Sequence, residues 1–339
     1  MTGMTKADDA ETVADGGDVR TLARLWALAV AFGLLTVGWS LHVGVPFRDP
    51  DGVVLRNRIV ISVLLFGLLV VVDAVVRTGR RGWTAGGAVA ALRARWPRRR
   101  VALAVSALLA YHLVYACYRN LKSWAAFRPD HDDRLERVDT WLFLGHNPAV
   151  LLHDLIGQQA APVLAAVYES FATLVSISLV AALALAPRLR DGLVFLASAM
   201  WLWVLGVGSY YLIPSLGPFA TAPRDFAHLP DTIITSKQAT LLVDRSALLH
   251  DPGASGGFAS ISAFASLHVA FTCLILLMMR YYGLRWAMWA MSVVFATTAL
   301  ATIYFGWHFV VDDVAGVALA VLALRLGRLM IGDPGPSPD

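Results

Sequence analysis

Two histidines and an aspartate have the residue types and spacing for phosphoryl transfer. His308 and Asp312 lie four residues apart in a stretch that reads as helical, which stacks them on one face. A carboxylate so placed accepts the Nδ1 proton of the imidazole, fixes its tautomer and leaves Nε2 free as nucleophile or base. Asp313 sits about 100° further round such a helix and does not serve the same face. Alone, a pair of this kind is more often a local polar contact at a wet helix end. The second histidine strengthens it. In Ala265-Ser266-Leu267-His268, after a glycine-rich entry, the first turn of a helix offers N–H groups and a positive dipole end beside a hydroxyl and an imidazole, which suits phosphate. His308, oriented by Asp312, would attack phosphorus. Protonated His268 would give its proton to the departing oxygen and later take one from the acceptor. Helix N-termini and basic side chains can stabilise the equatorial oxygens, so this chemistry calls for no metal and no cofactor. Lys122, Arg128, Arg224, Lys237 and Arg245 are the candidate cations, and the sequence does not choose among them.

The elements that must position these residues are membrane helices. Apolar residues make up 58% of the 339 and charged ones 15%, against roughly 25% charged in soluble domains; the mean hydropathy is +0.63. That balance excludes a disordered chain, a fibre and an ordinary soluble enzyme. Apolar runs long enough for about 30 Å of hydrocarbon fall near 22–43, 58–76, 101–118, 160–186, 192–213, 262–280, 286–306 and 308–330. They lack the alternation of barrel strands, and each span must satisfy its own backbone, so the expected fold is an all-α integral membrane protein of about eight transmembrane helices. Cys117 and Cys273 lie within apolar runs and read as packing residues; no metal-spaced set and no cofactor box is visible. The +4 net charge comes from arginines that punctuate hydrophobic runs, so a lipid bilayer is the expected partner and nucleic acid is not.

Arginine placement sets the expected topology. Arg77, Arg80, Arg81, Arg93, Arg95 and Arg98 to Arg100 crowd between the second and third spans, and Arg188, Arg190, Arg280, Arg285, Arg325 and Arg328 fall on the same face. That face is expected to be cytoplasmic, with both termini, in a plasma membrane. Residues 1–20, polar and acidic, read as a loose cytoplasmic tail, 21–100 as two extra helices and a basic loop, 101–330 as the functional membrane domain, and 331–339 as a tail. Two long outer segments, 119–159 and 214–261, are where a site would be built. Within the first, Trp141 to Gly157 reads as a lid or interfacial helix. The tract DPGASGGFASIS before the sixth span reads as flexible backbone entering a helix.

These residues resemble the type 2 phosphatidic acid phosphatase superfamily, whose later motifs read PSGH and SRxxxxxHxxxD. The histidines and aspartate match, while the arginine of the SR pair is Thr302. The superfamily's KxxxxxxRP motif has a partial echo in Lys122 to Pro129, with Lys122 and Arg128 one residue too close. The chain is similar to a branch containing the inositol phosphorylceramide synthases and inositolphosphotransferase-like membrane proteins, on Ser266-Leu267-His268, on Thr302-Ile303-Tyr304 leading to His308 and Asp312, and on Tyr211-Leu212-Ile213-Pro214-Ser215-Leu216-Gly217-Pro218. Asp139 to Leu152 looks like the branch's element before these helices. The likeness covers about 101–330.

The resemblance implies a six-helix phosphatidic acid phosphatase-like core and a lipid phosphotransferase or phosphatase acting at the extracytoplasmic face through a phosphohistidine. His308, Asp312 and His268 are the implied catalytic residues, with Ser266, Tyr211, Arg224, Lys122, Arg128 and Tyr304 at the substrate. Thr302 in place of arginine favours transfer to an alcohol, such as of an inositol-phosphate head group, over hydrolysis of a polyprenyl or phosphatidate phosphate. A proton-coupled transporter relaying through Glu169 and His112, or a bis-histidine haem carrier, are the competing classes. Polar residues gathered at one face and the lack of repeat symmetry weigh against transport. Trp and Tyr residues read mainly as interface anchors, and Gly206, Gly208 and Gly316 as sites of close helix packing.

Overall fold

In a computed structural model of the chain, the described residues are 5–79, 84–254 and 257–332, with side chains described from residue 19 onward. Arg80, Arg81 and the 333–339 tail lie outside them. Among the described residues the fold is all helical. The helices are α1 (Thr5–Val43), α2 (Arg56–Gly79), α3 (Ala85–Arg95), α4 (Arg98–Trp124), α5 (Asp132–Leu142), α6 (Pro148–Ile156), α7 (Ala161–Glu169), α8 (Phe171–Leu185), α9 (Leu189–Leu212), α10 (Pro218–Thr221), α11 (Ile233–His250), α12 (Leu267–Tyr281), α13 (Arg285–Tyr304) and α14 (Val310–Ile331). Helix α1 thus begins within the segment read as a loose tail.

Among the described residues, seven segments are long and apolar enough to cross a membrane, where the sequence suggested eight. The difference is the sixth run. Helix α12 has only 15 residues, and several N–H groups of the stretch before it bond to other elements instead of to a helical turn. Ala259 N donates to Ser123 Oγ, Phe264 N to Ser215 Oγ and Ala265 N to Ser209 Oγ, each at 2.9 Å. The glycine-rich entry is therefore pinned to α4 and α9 from Ala259 onward, in contrast to the flexible entry expected.

Helix α9 is the central post, buried along most of its length and packed against α14 and α4. Two glycines let α12 approach its neighbours. A Cβ at Gly206 would meet Leu267 Cδ1 at 2.7 Å, and one at Gly316 would collide with the Ser266 carbonyl. Gly208 faces open space, so close packing does not account for it. Helix α2 is peripheral, with Val60, Leu64, Leu68 and Val71 at least half exposed, as a lipid-facing helix must be. Trp141, Leu144 and Leu155, on α5, α6 and the turn between them, are likewise exposed and apolar, the composition of an interfacial element.

The candidate active site

His308 does not sit on a helix. Helix α14 starts at Val310 with Phe309 as its cap, so His308 lies two residues before it and helical-wheel arithmetic does not govern its relation to Asp312 or Asp313. Asp312 instead folds back over the helix start. Its Oδ2 accepts the Phe309 N–H at 3.0 Å and lies 3.5 Å from His308 Nδ1. The carboxylate thus lies beside Nδ1, a neighbour the sequence suggested from a different geometry. Asp313 is corrected from bystander to participant. It is buried, accepts the Thr302 hydroxyl at 2.9 Å, and its charge bears on His308. Thr302, where the family motif has arginine, is itself fully buried by this bond.

His268 occupies the second position of α12, whose cap is Ser266. The two imidazole centroids are 6.3 Å apart. Tyr168 stacks on His268 at 4.2 Å and Phe171 packs at 4.1 Å, so the ring is clamped between α7 and α8. Ser266 N donates to Asp312 O at 3.1 Å, which ties the start of α12 to the start of α14 and fixes the separation of the histidines.

Two acidic residues that the sequence reading passed over brace this arrangement. Asp139 on α5 accepts Val310 N at 2.7 Å and Val311 N at 3.3 Å, satisfying donors that the first turn of α14 leaves without a helical partner. Asp132 accepts Gly217 N at 2.7 Å and Leu216 N at 2.9 Å. Burial pushes both carboxyls up, and the backbone N–H groups pull them partway back. Gly217, at φ +100°, has to be glycine: a Cβ there would run into the Trp307 carbonyl beside His308. The segment Tyr211 to Pro218 is thus a strap across the loop that carries His308.

His268 and His308 face a cavity of about 280 Å³, lined also by Arg119, Lys122, Lys237 and Tyr168. Lys122 Nζ lies 5.2 Å from the centroid of the Tyr210 ring. Arg119 donates to Tyr115 Oη at 3.3 Å and Ser260 Oγ at 3.1 Å. Lys237 pairs with Glu169. Burial drives the His308 pKa down to about 4, assisted by Lys122 and opposed by Asp313 and the Ala263 carbonyl, so the imidazole is neutral at pH 7. Among the described residues, no three His, Cys, Asp or Glu side chains converge as a metal site.

Of the residues expected at substrate, Lys122 alone lines this cavity. Ser266 is buried as a helix cap. Tyr211 donates to Leu121 O at 2.8 Å, between α9 and α4, and Tyr304 donates to Gly157 O at 3.1 Å. Arg128 and Arg224 are exposed beyond the cavity lining, and Arg245 reaches toward Ala126 O. Glu169 is occupied by Lys237, and His112 bonds Ser62 Oγ and Leu108 O. The cation missed was Arg119, one helical turn before Lys122, which is the signal that could have found it.

A family described as the PAP2 superfamily matches residues 133–326, more than half of the chain. The match includes both histidines, Asp312 and Lys237, and leaves out α1 to α4 with Arg119 and Lys122, a shorter stretch than the 101–330 expected. No curated protein and no solved structure matches the chain at a significant level.

Proposed function

This chain belongs to the PAP2 superfamily, and from that premise we propose a membrane-embedded lipid phosphotransferase or lipid phosphatase that works through a phosphohistidine at the extracytoplasmic face. The family supports phosphatase or phosphotransferase chemistry. The observation that carries the finer reading is the pair of imidazoles 6.3 Å apart on a cavity that also holds Arg119, Lys122 and Lys237.

His308 Nε2 attacks phosphorus, a P–N bond forms, and the bond from phosphorus to the leaving oxygen breaks. Protonated His268 supplies the proton to that oxygen. The acceptor hydroxyl then gives its proton to His268 and its oxygen attacks phosphorus, releasing His308. Arg119, Lys122 and Lys237 hold the phosphate oxygens as their charge shifts. The cycle uses side chains alone and runs without a metal ion. Water as acceptor makes the enzyme a phosphatase, for polyprenyl or phosphatidate phosphates; an alcohol makes it a transferase, for an inositol-phosphate type of head group. Thr302, closed off by Asp313, supports transfer, since the arginine of the hydrolytic motif is absent there.

The topology proposed places both termini in the cytoplasm of a plasma-membrane protein, on the side of the arginine-rich loops. The test is phosphate release and head-group exchange by the purified protein on a panel of lipid phosphates and phosphoinositides, beside His308→Ala. Release or exchange in the wild type, lost in the variant, is expected. A folded wild type inactive on the whole panel overturns the reading.

A further inference from the structure

A second cavity, of about 590 Å³, lies between α2, α4 and α8, a size at which amphiphile sites are built. Its lining overlaps that of the site through a third cavity. A smaller cavity of about 200 Å³ shares Arg58, Tyr111 and Tyr115 with it, and shares Arg119, Lys122 and His268 with the site. We propose that this groove receives the hydrocarbon chain of a lipid phosphate whose phosphate lies between His268 and His308. The proposal rests on the lipid-phosphate reading above.

The polarity of the wall runs in the order an amphiphile requires. At the end shared with the cavity that reaches His268 stands Arg58, its guanidinium 4.4 Å from the centroid of the Tyr115 ring. Seven residues further along α2, roughly 10 Å deeper, the wall is Leu65 with Leu179 and Val180 of α8. The polar groups between them already have partners. His112 Nε2 lies 3.1 Å from Ser62 Oγ and Nδ1 2.7 Å from the Leu108 carbonyl, so the middle of the groove presents satisfied groups that an apolar chain can pass. The groove also opens sideways. Ile61 and Ile177 line it while remaining 59% and 47% exposed, on two helices that face lipid. A chain can therefore enter from the bilayer while its head group moves toward Lys122. Helix α2 lies outside the matched family segment, so this wall is supplied by the part of the chain that the family does not account for.

The test uses full-length His308→Ala protein in nanodiscs, photolysed with phosphatidate bearing a diazirine midway along one acyl chain, and separately with phosphatidylcholine bearing the same chain. Phosphatidate is expected to label residues 58–65 and 173–180 about tenfold more than phosphatidylcholine does. Equal labelling by the two lipids, or phosphatidate label spread over other lipid-facing helices, overturns the groove. Ser176→Trp fills it without touching the histidines. It is expected to raise KM for dioleoyl phosphatidate about tenfold while dihexanoyl phosphatidate turns over as in the wild type; an equal effect on both overturns the proposal. Should the wild type release phosphate from neither lipid, the phosphatase reading falls, and the labelling contrast still decides the groove.

Discussion

At one end of the bundle, arginines close the C-termini of helices. Arg24 donates to Met330 O at 2.8 Å, Arg95 to Leu185 O and Ala186 O at 2.9 and 3.0 Å, and Arg190 to Ile331 O at 3.4 Å. These carbonyls have no partner within their own helix, and a cation beside them also meets the negative end of the dipole. Asp73 pairs with Arg77 and with Arg95 itself, and Asp191 pairs with Arg188. At the opposite end, Arg119 and Lys122 meet hydroxyls and the face of an aromatic ring, which hold a cation in place but bind it more weakly than a carboxylate or phosphate does. The same residue type is thus consumed as structure at one end and kept available for an anion at the other. At the site end Glu169 pairs with Lys237, while Asp132 and Asp139 are turned to backbone N–H groups and shape the site without pairing with Arg119 or Lys122.

This contrast breaks most sharply at the nucleophile. His308→Ala is expected to lower turnover by about 10⁴-fold or more in a variant that remains folded, as its thermal unfolding transition will show. Mass spectrometry of quenched wild type should find an acid-labile phosphate on His308. Its appearance on His268 alone would reverse the roles assigned to the two rings. Next in size is Lys122→Gln, expected to cost on the order of 10²–10³ in kcat/KM, measured by steady-state phosphate release. A loss confined to stability would mean that Lys122 serves packing, as the arginines at the other end do.

How much of this was legible in the sequence depended on the distance over which residues had to be related. His268, His308 and Asp312 showed in short motifs, and the helices in runs of apolar residues. The relation between His308 and Asp312 was inferred from a helix that begins only at Val310, so the same contact emerged from the wrong geometry and Asp313 was dismissed by it. Tyr211, Tyr304, Arg128 and Arg224 were nominated by proximity in sequence to motifs, yet their side chains are used elsewhere or exposed. Arg119, Tyr168 and Ser260 come from three separate segments and converge only through packing, for which a single sequence gives no signal. The shortening of α12 depended on serines up to 136 residues away.

A pH profile sharpens the comparison from the side of electrostatics. His308 must be unprotonated to attack, and burial with Lys122 nearby holds its pKa down to about 4. The acid limb of kcat/KM should therefore fall near pH 4, whereas an ordinary imidazole would place it near about 6.5. Because protonation is disfavoured in the folded state, the nucleophile stays neutral above the limb and is lost as pH falls through it, while loss of the His268 proton sets the alkaline limb. In Lys122→Gln the limb should move upward, since one of the causes holding the value down has gone. A limb near 6.5 in the wild type would show His308 solvated in the working enzyme.

Backbone approach gives the next smaller effect. Gly316→Ala brings a methyl against the Ser266 carbonyl, so α12 and α14 must part and the histidines with them. A destabilisation of about 1–3 kcal/mol is expected, read by thermal unfolding in detergent, with a fall in turnover beyond what the lost fold explains. Gly208→Ala, facing open space, is the internal control.

The smallest effect belongs to the other end. Arg24 is exposed, and its bond to Met330 O lies where water can replace it. Arg24→Ala should change stability by no more than about 0.5 kcal/mol and leave kcat/KM unaltered. What it should change is insertion: in the proposed topology, a cation at the start of the first span holds that end on the cytoplasmic side. Cysteine accessibility at the N-terminus, compared between wild type and a variant lacking Arg20 and Arg24, measures this directly. If turnover falls instead, the basic end communicates with the site through α14, and the division of the bundle into a structural and a chemical end no longer holds.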